Sequence, residues 1–139
     1  MRLTKFSDYA LRVLMLAAER EGRLTIEEAS AFYDISRTHL RKVVRHLAAE
    51  GLLEASRGRG GGFTLGRAPD QINLGAVLRK TEPDFRLWEC AQCRLHDICR
   101  LPCLGRRATD AFLAVFDATT LADILPGGPA AQAIALRRS

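Results

Sequence analysis

All the cysteines of this 139-residue chain, Cys90, Cys93, Cys99 and Cys103, fall in one short stretch, ECAQCRLHDICRLPC. Thiolates are soft ligands that suit iron-sulfur clusters and zinc, and side chains this closely spaced can converge on an ion without help from the wider fold. A C-x2-C pair followed by two further cysteines also fits zinc, which takes four closed tetrahedral ligands. His96 and Asp97 lie within the same stretch and are further candidate ligands, with simple solvent exposure as the alternative; Trp88 is expected to pack the loop. Disulfides require an oxidising compartment. The apolar run near the start of the chain is interrupted by Arg12 and followed by no small-residue cleavage pattern, and no stretch reaches membrane-spanning length. The expectation is a cytoplasmic protein with no membrane partner, in which clustered thiols act as ligands or redox groups.

These groups must be positioned by a chain of single-domain size, whose 47% apolar residues suffice for a core without cross-links. Phe6, Ala10, Val13, Leu14 and Ala17 recur at helical spacing and predict a helix from Lys5 to Arg20. Thr25 and Glu28 form a capping-box pair that opens a second helix, to about Phe32. Ser36 is suited to cap a third, with Leu40, Val43, Val44 and Leu47 as its apolar stripe and Gly51 as its stop. LLEAS and FTL flank RGRGGG as a two-stranded wing. Beyond Pro69, Asn73 caps a short helix through Lys80, and Pro83 ends it before a thiol-rich loop from Asp84 to Cys103. Leu104, Ala108, Ala111, Phe112, Val115 and Phe116 then share a face of a long helix, and Thr120 caps a short turn before Pro126.

The expected fold is mainly α with a small β-hairpin wing: a winged helix-turn-helix, an effector loop and a long dimerisation helix. Its parts are a DNA-binding region over 1–68, a short helix and cysteine-rich loop over 69–103, the dimerisation helix and following turn over 104–126, and a tail over 127–139. The tail is rich in Gly, Pro and Ala, then basic, and is expected to be disordered.

A net charge of +5 favours a polyanionic partner only modestly, so the location of the charge decides. Opposite the stripe of the third helix stand Arg37, Thr38, Arg41, Lys42 and Arg45, with His39 and His46 at the margins. Such a helix fits the major groove of double-stranded DNA, where Arg and Lys donate to guanine and the free amides at the helix start can bind phosphate. In the wing, Arg57 and Arg59 stand beside Gly58, Gly60, Gly61 and Gly62, which permit close approach to phosphate or the minor groove. There is no Walker lysine, dinucleotide fingerprint, catalytic triad or flavin motif, and the enzyme classes that use them are set aside. One such domain reads few base pairs, which argues for a homodimer on two half-sites of an operator. The long helix is the candidate pairing surface, and an intramolecular core is its alternative.

MRLTKFSDYALRVLM, ISRTHLRKVVRHLAAEGLLE, SRGRGGGFTLGRAP, INLGAVLRKTEPDF and DAFLAVFDATTLADIL together resemble the NsrR-like branch of the Rrf-type winged-helix regulators, over about Met1 to Leu125. The resemblance implies a cytoplasmic homodimeric repressor that binds an iron-sulfur cluster, 4Fe-4S ahead of 2Fe-2S, and senses nitric oxide in nitrosative stress. Relatives in the wider family sense cluster supply, iron or redox state. It further implies that Cys90, Cys93 and Cys99 of one subunit hold the cluster and that Asp8 of the other subunit can complete the site. DNA-reading positions carry over to Ser36, Arg37, His39, Arg41, Lys42, Arg57 and Arg59. Read from the residues alone, Asp8 is an acid in a first helical turn, where it stabilises the helix dipole. The chain departs from the pattern in the two-residue spacing of its first cysteines and in the extra Cys103. That thiol could be a fourth ligand displacing Asp8, a repair or redox thiol, or a small packed residue. Two other functions stay open: a cluster-supply or redox regulator of the same fold, and a zinc-stabilised DNA-binding module without sensing.

Overall fold

The computed structural model describes residues 2–127, so nearly all of the expected tail lies outside the described residues. Six α-helices and one hairpin follow in the order α1 (Lys5–Glu19), α2 (Ile26–Tyr33), α3 (Arg37–Ala49), β1 (Leu53–Ser56), β2 (Gly62–Leu65), α4 (Leu74–Thr81), α5 (Leu101–Asp117) and α6 (Leu121–Ile124), with a 3-10 turn at Pro69–Gln71. The mainly helical, winged architecture expected from the sequence is the one found.

Local side chains set most of the boundaries. Thr4 accepts from the Ser7 amide at the start of α1, and Thr25 and Glu28 form the expected reciprocal box on α2. Asp34 adopts a left-handed conformation (φ 53°) that turns the chain out of α2. Two residues later the Ser36 hydroxyl accepts from the His39 amide at 3.2 Å and starts α3. Gly51, at φ 71°, stops it. Asn73 accepts from the Ala76 amide at 2.9 Å, and the Asp123 carboxylate accepts from the Thr120 amide at 2.8 Å.

One core runs through these elements. Ala10, Val13 and Leu14 of α1 meet Leu40, Val43 and Leu47 of α3, Phe63 of β2, and Ile72, Val77 and Leu121 from the second half of the chain. The hairpin is antiparallel, with Leu53 opposite Leu65 and Ser56 opposite Gly62. Leu24 adds a bridge to Phe63, exchanging backbone hydrogen bonds of 2.8 and 2.9 Å. A side chain at Gly62 would sit 2.7 Å from the Leu24 carbonyl oxygen, so glycine is what lets the wing close on that segment.

Two expectations need correction. The last long helix begins at Leu101, three residues before its expected start, because Pro102 occupies its first turn, where a missing N–H costs nothing. Cys103 is therefore helical, its amide donating to the Arg100 carbonyl at 3.1 Å. The apolar face expected on that helix is divided: Phe112 and Phe116 are half-buried, while Leu104, Ala108, Ala111 and Val115 face solvent. Leu113, which the expectation missed, is the apolar side chain that α5 buries.

Candidate nucleic-acid interface and thiol loop

The recognition surface follows from the amphipathic pattern of α3. With Leu40, Val43, Val44 and Leu47 buried, Arg37, Thr38, His39, Arg41, Lys42 and Arg45 are exposed, and Ser36 is exposed at the cap. Arg37 has a distant carboxylate partner in Glu27 at 4.0 Å; among the described residues, Arg41, Lys42, Arg45, Arg57 and Arg59 have none. Uncompensated cations on one face are free to meet phosphate. Arg57, Arg59 and Gly60 are exposed in the wing turn. Arg23 donates to the Gly60 carbonyl and so pins the wing tip. That residue was missed in the sequence, because nothing local marks a contact across 37 positions. Between α2, α3 and the wing lies a cleft of about 450 Å³ whose lining includes Arg41 and Arg57.

His46, expected at the margin of the reading face, faces α4 instead. Its Nε2 lies 2.8 Å from the Lys80 carbonyl, and its ring stands edge-on to Phe6 at 5.4 Å. Lys80 also pairs with Glu50, whose carboxyl is held below its ordinary pKa by the ammonium hydrogen bond. The same end of α4 grips α1: Ser7 donates to the Thr81 hydroxyl in a buried contact of 2.8 Å, and the Thr4 amide donates to Glu82 at 2.7 Å. The last turn of α4 thus touches both α1 and the recognition helix, immediately before the thiol loop leaves it.

In the loop, Cys90 and Cys99 are half-buried, Cys93 and Cys103 are exposed, and all four thiols are free. Backbone turns link them locally: the Cys93 amide donates to the Cys90 carbonyl at 3.1 Å, and the Cys99 amide to the Leu95 carbonyl at 2.8 Å. The Cys99 sulfur accepts from the Leu101 amide at 3.4 Å. Among the described residues, no three His, Cys, Asp or Glu side chains come together as a metal site. Local turns hold the loop. His96 and Asp97 are exposed with the rest of the loop.

Asp8 stands in the first turn of α1, half-exposed, and accepts from Arg12 Nε at 2.8 Å. The pair raises the Arg12 pKa, chiefly through that hydrogen bond. Arg12 in turn lies 5.7 Å over the Tyr33 ring, whose hydroxyl donates to the Arg12 carbonyl at 3.0 Å. Among the described residues, no helix is long and apolar enough to cross a membrane.

A family model described as Rrf2, iron-dependent transcriptional regulator, matches residues 3–127. The chain belongs to the Rrf2 family. It is 46% identical over 132 residues to the HTH-type transcriptional regulator NsrR of Bacillus subtilis, covering 90% of each protein. Against the protein of the same name from Geobacillus kaustophilus the identity is 42%, again over 90% of both. Among solved structures, CymR, the global cysteine regulator of B. subtilis, superposes with a TM-score of 0.69 at 26% identity, over 87% of this chain and 93% of that one. As an Rrf2 protein the chain is a DNA-binding transcriptional regulator and not an enzyme.

Proposed function

We propose that this Rrf2 protein is an iron-sulfur-dependent repressor that works as a cytoplasmic homodimer on a double-stranded operator and releases it in response to nitric oxide. The observation that carries the reading is a free triplet of thiols, Cys90, Cys93 and Cys99, on a loop leaving the very helix that braces the recognition helix. The name NsrR borne by the B. subtilis and G. kaustophilus relatives supports it.

The chemistry of the donors fits a cluster. Thiolates are its preferred ligands, none of these is spent in a disulfide, and the Cys99 sulfur already receives an N–H of the kind that steadies a ligand. Among the described residues no three donors come together, and the reading has the loop close on the cluster or a second copy contribute a ligand. Cys90, Cys93 and Cys99 would hold the cluster, with Asp8 of the other copy completing the set while sharing its carboxylate with Arg12. Cys103, in the first turn of α5, is the alternative fourth ligand. When bound, the cluster supplies iron that reacts with nitric oxide, and 4Fe-4S is favoured over 2Fe-2S.

The chain's own residues do the rest. Ser36, Arg37, Thr38, His39, Arg41, Lys42 and Arg45 present the reading face, and Arg57, Arg59 and Gly60 approach the adjacent backbone. Thr81, Glu82 and the Lys80 carbonyl convey the position of the loop to α1 and to His46 of α3. A tenfold release of DNA requires only about 1.4 kcal/mol. Pairing is supported by exposed Leu101, Leu104, Ala108, Ala111 and Val115, which recur at alternating steps of three and four along α5, the spacing of a helix-helix seam.

The test is anaerobic purification with iron, sulfide and zinc quantified, followed by binding to a duplex selected by this protein from a randomised DNA pool. Iron and sulfide in comparable amounts, with at least tenfold weaker binding after cluster removal, is the expected result. Stoichiometric zinc without iron would replace the proposal with a zinc-stabilised module.

A further inference from the structure

α5 makes two contacts with the segment that carries the first thiol, and both come from one face of the helix. Gly105 is buried beneath Trp88: a Cβ there would lie 2.4 Å from Cζ3 and 3.0 Å from Cε3 of the indole. One turn further on, Thr109 donates its hydroxyl to the Phe85 carbonyl at 3.2 Å. These contacts hold both ends of the stretch from Phe85 to Trp88, two residues before Cys90. The cavity beside them, about 450 Å³, is lined in part by Phe85, Trp88, Cys90 and Gly105. Cys90 is half-buried where Cys93, three residues on, is exposed.

We propose that Gly105 and Thr109 form a seat for the Trp88 segment, and that this seat is the positioning device that fixes Cys90 relative to Cys99 at the head of α5. The inference rests on the reading of these thiols as cluster ligands. The reason is steric and local. Glycine removes the Cβ that would otherwise fill the space taken by the indole, and the Phe85 carbonyl and the Trp88 ring, both held by α5, restrain the segment that leads into Cys90. Exposed loops seldom fix a ligand by themselves, so an anchor on a regular helix sets the geometry more closely than the turns at Cys93 and Cys99 can. Trp88, Gly105 and Thr109 are therefore positioning residues, and none of them is a ligand.

The chain contains a single tryptophan, so the seat has its own spectroscopic reporter. In metal-free full-length protein, G105A should expel the indole, shift its emission to the red and speed alkylation of Cys90 at least threefold. The rates at Cys93 and Cys103, followed residue by residue by mass spectrometry, should stay as they are. T109V should act in the same direction and more weakly. W88A should also speed Cys90, and adding G105A to W88A should then change nothing, because the new methyl group meets no ring. On reconstituted protein, G105A should lose the visible absorption of the cluster faster than wild type. Unchanged emission and Cys90 rate in G105A, or equal acceleration of all the thiols, would overturn the seat, as would additive effects in the double variant. If wild type takes up no iron while the metal-free results hold, the cluster reading falls and the seat remains as a structural contact.

Discussion

Replacing Arg41 with alanine isolates the electrostatic part of DNA binding. Each chain exposes Arg37, Arg41, Lys42 and Arg45 on α3 and Arg57 and Arg59 on the wing. If all of these meet phosphate in a complex of two chains, about twelve contacts give a log-log salt slope of about −11, an upper bound on steepness. Losing Arg41 from both chains should flatten that slope by about 1.8. Over a fourfold rise in salt, the wild type should then lose about twelvefold more affinity than the variant. If Arg41 instead donates to a base, the slope stays and the cost is about 1–3 kcal/mol on the preferred duplex, smaller on a scrambled one. Fluorescence anisotropy on both duplexes across a salt series separates the two cases. Arg37, which shares Glu27, should matter less than Arg41. Unchanged slope and affinity on both duplexes for R41A would refute the assignment of this face to DNA.

Three further outcomes follow from named contacts. D8A removes a partly exposed ion pair with Arg12 and an acid from the first turn of α1, and should cost about 1 kcal/mol or less in denaturant unfolding. It should nevertheless alter the cluster spectrum or the nitric oxide response, and identical spectra and response would confine Asp8 to the helix start and its contact with Arg12. G62A places a methyl group against the Leu24 backbone and should destabilise by about 1–3 kcal/mol in chemical unfolding; an unchanged midpoint would show that the wing closes differently. Arg79 hydrogen-bonds Asp117 and holds its carboxyl below the ordinary range, so this group contributes stability above the unfolded pKa and loses it as pH falls through the lowered folded value. D117N should therefore melt below wild type at pH 7, with the gap closing below about pH 4; a gap independent of pH would assign the effect to packing over Gly75.

What could be read in advance was what depends on neighbours in sequence. Ser36, Asn73 and the Thr25–Glu28 pair act within one helical turn, and the stripe of Leu40, Val43, Val44 and Leu47 alone decides which cations on α3 face out. The start of α5 lies three residues before the apolar stripe that marks the helix in the sequence, with Pro102 in its first turn, where proline is favoured. His46 was placed with the reading face by its spacing, but Phe6 and the Lys80 carbonyl, distant in sequence, turn it toward α4. The four cysteines show the limit most plainly. Their types announce metal, while the contact between Trp88 and Gly105, which ties their segment to α5, is one that no periodicity encodes.

The central claim is most directly tested by titrating nitric oxide into anaerobically purified protein bound to a duplex selected from a randomised pool, while absorbance and anisotropy are followed in the same cuvette. Bleaching of the cluster band together with at least a tenfold loss of DNA affinity is the predicted result. Nitrosylation that leaves the complex intact would contradict it.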